Sequence, residues 1–290
     1  MPVVTYYHDD TMIRIGTSGW SYKHWKGKFY PEGLSQRRWL EYFAEHFETV
    51  EINSSFYHIP RENVTAGWAE KTPADFLFSL KMSRLVTHVH KLKDPADTLE
   101  WFFKSIKPLF GKVAAILIQL PPSLCPAEER LENFFTVLHR TEERINGEKG
   151  GYRYVLEIRN VHCYSATLFN MLKNYRVALC LHDFGKASTE KLLEGTTTAN
   201  DKSGVNQDVK PPAGFPQPYI TSDFIYIRFH GYGRTYGGSY PNDHLKRWAD
   251  RISLWNREGL DVFTYFNNDA EGFAVQNADT LKGFVERFKD

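Results

Sequence analysis

An arginine and a histidine lie two positions apart near the end of one short apolar run. In FIYIRFH, residues 224–230, large apolar side chains alternate with Tyr226, Arg228 and His230. This period of two is typical of a β-strand, in which successive side chains point to opposite faces. An arginine can hold a phosphate or carboxylate through two hydrogen bonds, and a histidine can transfer a proton near neutral pH. The pattern therefore predicts a polar, anion-binding site where this strand ends.

Other apolar runs of the chain also carry polar residues close to their ends, on the face opposite to their large apolar side chains. These residues are Glu51, Asn53, Lys81, Gln119, Glu157, Arg159 and His182. The last run, DVFTYFN at 261–267, can be phased either way, so both Asn267 and Asn268 are candidates for the inward face.

Eight apolar runs recur along the chain, and they predict eight strands. They cover residues 12–16, 48–53, 76–81, 114–119, 153–159, 177–182, 224–230 and 261–267. Between most of them, apolar residues recur at i, i+3, i+4 and i+7, which is typical of amphipathic helices. Strands that alternate with helices require a parallel sheet. Eight such units favour an α/β fold of the TIM (β/α)8 barrel type over an open, doubly wound sheet.

The barrel accounts for residues 12–290 as a single domain, preceded by an N-terminal tail at 1–11. Residues 195–222 are polar, rich in Pro, Gly, Thr, Asn and Lys, and lack any period. A stretch of this length without secondary structure is uncommon unless it serves a function or is a linker. We expect it to be a loop insertion between the sixth and seventh strands.

In a parallel barrel the carboxyl ends of the strands form the rim at which active sites lie. The three cations Lys81, Arg159 and Arg228 outnumber the carboxylates Glu51 and Glu157 there, which suits a small anionic ligand. We expect Glu51 or Glu157 to act as general base and His230 as general acid. The expected substrate-binding residues are Asn53, Lys81, Gln119, Arg159, His182, Arg228 and Asn267, and no metal or other cofactor is expected.

Composition argues against several kinds of partner. The chain has 290 residues and a formal net charge of +1, so no global field attracts it to nucleic acid or to an acidic membrane. The three cysteines are widely spaced and form no C-x-x-C pair, so we expect buried free thiols. The sequence has no signal-peptide pattern and no apolar stretch of about 20 residues, so we expect a cytoplasmic protein with no membrane partner.

Two loop segments leave alternatives open. The glycine-rich HGYGRTYGGSY at 230–240 could hold a phosphate on its backbone N–H groups or could form a plain turn. In GTSGWSYKHWKGKFYP at 16–31, aromatic and basic residues alternate. Such residues could stack a base or sugar, but we favour a packed lid over the barrel mouth.

Several sequence blocks occur in the order found in a known family. They include IRIGTSGWSYKHWKGKFYP, FETVEINSSFYHIP, FLFSLKMSRLVTH, LIQLPPS, VLEIRN, YIRFHG and VFTYFNNDAEGFAVQNA. Between residues 13 and 285 the chain resembles the YecE-like family, domain of unknown function 72. The resemblance implies a TIM barrel related in shape to endonuclease IV and xylose isomerase-like barrels, but it implies no reaction. The matching motif positions are Glu51, Asn53, Lys81, Gln119, Glu157, Arg159, Arg228, His230 and Asn267, whereas segment 195–222 departs from the family pattern.

Two other functions stay open beside the acid/base enzyme. The first is metal-dependent phosphodiester hydrolysis of nucleic acid, with ligands drawn from Glu51, Glu157, His182, Asp183 and His230. The neighbouring cations would repel a divalent ion, and the near-neutral net charge offers little attraction for DNA, so this hypothesis is not favoured. The second is a non-catalytic sensor that uses the same rim. The oligomeric state is left open.

Overall fold

A computed structural model describes residues 11–147, 151–184 and 220–287. In these ranges, eight parallel strands follow one another around a closed barrel, and β8 pairs with β1. The predicted TIM barrel is therefore confirmed. The expected N-terminal tail at 1–11 and the expected insertion at 195–222 lie outside the described residues, apart from residue 11 and residues 220–222.

Each strand overlaps one of the eight apolar runs identified in the sequence. The strands are β1 (Ile13–Ser18), β2 (Thr49–Ile52), β3 (Leu77–Lys81), β4 (Val113–Gln119), β5 (Tyr154–Glu157), β6 (Val177–Asp183), β7 (Phe224–Phe229) and β8 (Asp261–Phe266). Every strand except β1, β3 and β4 is buried along its whole length. Strands covered by helices on the outside and filled by side chains on the inside have this property.

Helices surround the barrel and turn their apolar stripes toward it. They are α1 (Trp39–Ala44), α2 (Ser54–Tyr57), α3 (Glu62–Glu70), α4 (Ala96–Ile106), α5 (Glu128–Asn146), α6 (Ala166–Asn174), α7 (Asn242–Arg257) and α8 (Phe273–Glu286). In α4 the buried residues include Leu99, Phe102, Phe103 and Ile106, which follow the predicted helical spacing. None of the helices in the described ranges combines the length and apolarity needed to cross a membrane.

The buried apolar residues form two separate cores, and these fix the direction of the strand side chains. Ile225, Ile227 and Phe229 belong to the outer core between barrel and helices, whereas Tyr226 belongs to the core inside the barrel. The predicted phase of β7 is therefore correct. The inner core also contains Leu117, Val155, Cys180, Phe263 and Tyr265.

The inner core settles the open phase of β8. Phe263 and Tyr265 fill the barrel interior, so Asn267 continues their face and Asn268 continues the opposite one. The amide of Asn268 donates to the carbonyl oxygen of Gly238 at 2.8 Å and to Oδ1 of Asn277 at 2.9 Å. Asn268 therefore ties the strand end to a neighbouring loop and to α8.

Asp183, at the end of β6, connects the barrel to α7. Its Oδ2 atom accepts a hydrogen bond from Nε1 of Trp248 and lies 2.6 Å from Nε2 of His244. Asp183 and both partners are buried. The aspartate therefore faces the helix layer rather than the barrel interior, although the sequence allowed it to turn toward the rim.

The cysteines differ from the expected set of three buried free thiols. Cys125 and Cys163 are joined as a disulfide, with their Cα atoms 5.3 Å apart, and only Cys180 is a free, buried thiol. The two paired residues follow β4 and β5, which are neighbours in the barrel. Residues 38 positions apart therefore come together through the register of the two strands, which sequence spacing cannot reveal.

We expect Asp183→Ala to lower the free energy of unfolding by about 2–4 kcal/mol, because it leaves the polar groups of His244 and Trp248 buried without their acceptor. Asp243→Ala is the control. Asp243 lies on α7 beside His244, but its side chain is 89% exposed and lies 3.8 Å from Lys246. It should change the free energy of unfolding by less than about 0.5 kcal/mol. Urea unfolding measures both, and equal effects would contradict the prediction.

Candidate functional site

Arg228 lies at the centre of a buried ionic network at the rim. Its Nη1 atom donates to Oε2 of Glu157 at 2.6 Å, and its Nη2 atom donates to Oε1 of Glu51 at 2.8 Å. All three side chains are at most 1% exposed. Burial alone would lower the pKa of Arg228, but the two carboxylates raise it well above its usual value. The guanidinium therefore stays charged and joins the ends of β2, β5 and β7.

The carboxylate of Glu51 has further donors on both oxygens. Ser18 Oγ donates to Oε1 at 2.6 Å, and the hydroxyl of Tyr226 donates to Oε2 at 2.7 Å. The Tyr226 hydroxyl in turn lies 2.6 Å from Oγ of Ser79. Residues from β1, β2, β3 and β7 thus meet around one carboxylate below the rim.

The carboxylate of Glu157 is also surrounded by donors. In addition to Arg228, Nε of Arg159 donates to Oε1 at 2.7 Å, and Nε2 of Gln119 donates to the same oxygen. Burial would raise the pKa of Glu157, but the charge of Arg228, with those of His182 and Arg159, holds it well below its usual range. Glu157 is therefore an ionised anchor for two arginines.

The two predicted histidines stack beside this network. Nδ1 of His182 lies 3.4 Å from Nε2 of His230 and 4.0 Å from Oε1 of Glu157. Burial, partly opposed by Glu157, lowers the pKa of His182 to about 4. Burial and the charge of Arg228 lower the pKa of His230 well below its usual value. Both imidazoles are therefore neutral at pH 7.

Lys81 is the buried cation at the rim that lacks a charged partner within the described ranges. Its Nζ atom lies 4.0 Å from the centroid of the Phe56 ring, and the residue is 9% exposed. Burial, followed by the charge of Arg228, lowers the pKa of Lys81 to about 8. Lys81 therefore exchanges its proton much closer to neutral pH than an ordinary lysine.

Arg159 extends from the buried network toward the barrel mouth. Its side chain is 25% exposed, and Nη1 makes a long contact of 3.4 Å with the hydroxyl of Tyr236. Oδ1 of Asn53 is buried and has no hydrogen-bond partner in the described parts of the chain. Nδ2 of Asn267 lies 3.5 Å from Nδ1 of His230. The predicted site residues after β5, β7 and β8 therefore meet around one region of the rim, and Asn53 follows the end of β2.

Phe56 and His88 also line this region, although neither is among the residues predicted from the sequence. Their rings meet edge to face with centroids 4.8 Å apart. Burial lowers the pKa of His88, followed by the charges of Lys81, Arg84 and Arg159. Both residues lie beyond strand ends, where alternation no longer fixes direction, but both lie inside the quoted family blocks. Their position inside these blocks is the sequence signal that could have identified both residues.

The glycine-rich loop at 230–240 uses backbone donors to hold its own conformation. The N–H of Gly231 donates to the hydroxyl of Tyr240 at 2.9 Å, and the N–H of Tyr236 donates to the carbonyl oxygen of His230 at 2.5 Å. Gly231 has a φ of 113°, and a Cβ there would lie 2.3 Å from the carbonyl oxygen of Gly237. These contacts favour a compact turn over an open phosphate cradle.

The aromatic segment at 16–31 packs against its surroundings. Trp25 and Tyr30 are buried, and the ring of Tyr30 stacks on that of Trp39 in α1 with centroids 4.6 Å apart. Nε1 of Trp25 donates to the carbonyl oxygen of Asp269, in the loop after β8. This packing agrees with a lid that is fixed to neighbouring elements rather than with a set of rings open to stack a base.

Glu157, Cys180 and His182 have ligand atoms close enough together to hold a metal ion. The arginines already occupy both oxygens of Glu157, and a divalent ion there would lie beside their charges. Burial and the charge of Glu157 raise the pKa of the Cys180 thiol well above its usual value, which disfavours the thiolate that binds metals. Asp183, a candidate ligand from the sequence, faces α7 instead. These three residues therefore fit a divalent ion poorly.

A closed parallel barrel defines a TIM-barrel protein, and the buried ionic network and adjoining polar mouth at its strand ends form its candidate site. A family described as "Protein of unknown function DUF72" matches residues 14–289. The chain belongs to this family, and the resemblance stated from its sequence is confirmed.

Relatives in this family match along most or part of the chain. The UPF0759 protein YunF of Bacillus subtilis (strain 168) is 24% identical over 283 residues, which cover 93% of each chain. The UPF0759 protein YecE of Escherichia coli (strain K12) is 32% identical over 117 residues, which cover 40% of each. The crystal structure of a DUF72 family protein from Thermotoga maritima MSB8 is 26% identical, with a TM-score of 0.73 over 95% of this chain and 99% of that chain.

We expect Arg228→Met to lower the free energy of unfolding by about 3–5 kcal/mol at pH 7, because Glu51 and Glu157 would remain buried without their shared cation. In the native protein, the lowered pKa of Glu157 contributes stability above the unfolded pKa, and this is lost as the pH falls through the folded pKa. The unfolded pKa is near 4.5 and the folded pKa lies well below it, so the difference between variant and native protein should shrink as the pH falls below about 4.5.

Arg14→Met provides the control for Arg228→Met. Arg14 donates to Glu48 at 2.6 Å, but the side chains are 22% and 49% exposed, so its loss should cost less than about 1 kcal/mol. Urea unfolding at several pH values measures both variants. A difference between native protein and Arg228→Met that stays constant from about pH 5 to about pH 3 would contradict the expected coupling to Glu157.

Proposed function

We propose that the protein is an enzyme that binds a small phosphate- or carboxylate-bearing substrate at the rim and transfers protons there. The observation that carries the proposal is the unequal pairing of cations. Arg228 is paired with Glu51 and Glu157, whereas Lys81 has no anionic partner within the described residues. Because an unpaired buried charge is costly, an anionic ligand would stabilise the site as it binds.

In this proposal Arg159 holds the anionic group, and the charge of the ammonium form of Lys81 attracts it to the rim. The guanidinium of Arg159 is fixed at Nε by Glu157, which leaves its more exposed end for a ligand oxygen. The buried Oδ1 of Asn53 can accept a hydrogen bond from a substrate hydroxyl. Such a ligand would combine a phosphate or carboxylate with at least one hydroxyl group.

The proposal changes the roles first expected for the ionic residues. Glu51 and Glu157 hold Arg228 in place and do not abstract protons, because guanidinium and hydroxyl donors surround their oxygens. Lys81 becomes the proton-transfer group, since its pKa of about 8 lies close to neutral pH. His230 contributes a hydrogen bond rather than a proton, because its lowered pKa keeps the imidazole neutral.

We expect inorganic phosphate or sulfate to bind the native protein and Arg159→Met to weaken that binding by about tenfold or more, because a charge-assisted hydrogen bond is lost. Isothermal titration calorimetry measures the affinity. Arg14→Met is the control. Arg14 lies near the N-terminal end of β1, away from the rim, so its replacement should leave the affinity unchanged. Equal affinities for native protein and Arg159→Met would sink the anion site.

We expect the affinity for sulfate, whose own charge is constant near neutral pH, to fall as the pH rises through about 8. Lys81 carries its charge below its pKa of about 8 and loses it above that value. The variant Lys81→Met should bind sulfate more weakly at pH 7 and should show no inflection near pH 8. Persistence of the inflection in Lys81→Met would assign it to another group.

Turnover separates an enzyme from the sensor considered above. Metabolites that raise the melting temperature through this site are incubated with the protein, and their products are measured by mass spectrometry. Product formation that is lost in Lys81→Met supports the proposal, whereas binding without turnover favours the sensor. Stoichiometric zinc or manganese in protein purified without chelator would instead favour metal-dependent hydrolysis.

A further inference from the structure

We propose that the ε-amino group of Lys81 forms a covalent imine with its substrate, so that the substrate class of this site is an aldehyde or ketone that carries a phosphate or carboxylate. The inference rests on the proposed function, because Arg159 binds the anionic group while Lys81 attacks the carbonyl carbon.

The backbone of Lys81 is fixed, but its amino group is not. Oγ of Ser55 donates to the carbonyl oxygen of Lys81 at 2.7 Å, and the N–H of Met82 donates to the carbonyl oxygen of Leu117 at 2.8 Å. The Nζ atom lies over Phe56 and makes no hydrogen bond or ion pair with any residue in the described ranges. A fixed stem thus presents an uncommitted amine to the barrel mouth.

Lys112 shows how this fold treats a lysine with a structural role. Its Nζ atom donates to the carbonyl oxygens of Ala69, Thr72 and Pro73 at 2.8–2.9 Å, and to Oγ1 of Thr72 at 3.1 Å. Those contacts use the full donor capacity of an ammonium group. Lys81 is more deeply buried than Lys112, yet it lacks any such set of acceptors.

Imine formation needs the neutral amine, and the surroundings of Lys81 supply it. Burial and the charge of Arg228 lower the pKa of Lys81 to about 8, so about a tenth of the amine is neutral at pH 7, far more than for an ordinary lysine. The Nζ lone pair forms a bond to the carbonyl carbon. The carbonyl oxygen takes up a proton from the attacking nitrogen and a second from solvent, and it leaves as water. The product is a protonated imine.

The positive charge of that protonated imine lies where the ammonium charge lay before. The Phe56 ring is 4.0 Å from Nζ and stabilises a cation at this position through its electron-rich face. The site therefore accommodates the same charge before and after the reaction. Arg159 supplies the separate binding position that the anionic end of the substrate requires.

Reductive trapping with glyoxylate tests the inference. Native protein is incubated with glyoxylate and cyanoborohydride at pH 7.5, and carboxymethylated lysines are mapped by peptide mass spectrometry. We expect Lys81 to react at least about tenfold faster than the exposed Lys104, because the lower pKa yields more neutral amine. Lys112 should stay unmodified. If Lys81 reacts no faster than Lys104, the inference is overturned.

A second arm separates imine formation from anion binding. Acetaldehyde has the same reactive group as glyoxylate but no charge. We expect Arg159→Met to slow the trapping of glyoxylate at Lys81 by about tenfold and that of acetaldehyde by less than about twofold, since only glyoxylate uses the guanidinium. Equal slowing of both reagents would overturn the assignment of an anionic carbonyl substrate.

The two proposals can fail separately. If calorimetry shows Arg159-dependent binding of sulfate while Lys81 stays unreactive, the imine inference fails and the proposed anion site stands. If Lys81 reacts rapidly with both aldehydes and Arg159→Met changes neither rate nor sulfate affinity, the anion site fails, and the inference fails with it as stated. Lys81→Met serves as the blank that identifies the modified peptide.

Discussion

The burial of one guanidinium between two carboxylates is the constraint on which the rim depends. Arg228 is 1% exposed, and its charge is tolerated because Glu51 and Glu157 meet it directly. Each carboxylate in turn requires further donors, which Ser18 and Tyr226 supply to Glu51 and Arg159 supplies to Glu157. The burial of this one charge therefore requires polar residues at or near the ends of the strands that build the network, which are β1, β2, β5 and β7.

In this arrangement the three cations of the rim differ in the number of anionic groups that they contact. Arg228 contacts both carboxylates. Arg159 shares Glu157 with it, while the outer end of the Arg159 side chain reaches toward solvent. Lys81 receives only the face of Phe56. The network that stabilises the barrel thus leaves Lys81 without an anionic partner within the described residues, and our proposal assigns the chemistry to this residue.

Periodicity was sufficient for the fold and for the direction of most rim residues, because alternation in a strand leaves only two faces. It could not phase β8, where Phe263 and Phe266 are both apolar and lie on opposite faces. Direction also does not specify a partner: the alternation that turns Arg228 inward gives no sign of its hydrogen bonds to Glu51 and Glu157. Phe56 and His88 lie beyond strand ends, where no period applies. The disulfide between Cys125 and Cys163 depends on strand register, which sequence spacing does not give.

The ionic network also bears on how the chain must fold. Arg228 is separated from Glu51 by 177 positions and from Glu157 by 71, so these contacts form only when distant parts of the chain have come together. A partly assembled barrel that had gathered its first five strands would hold Glu51 without Arg228 and would leave Glu157 with one arginine, Arg159, instead of two. Such half-barrels are penalised electrostatically, which favours cooperative closure over stepwise accumulation of stable fragments.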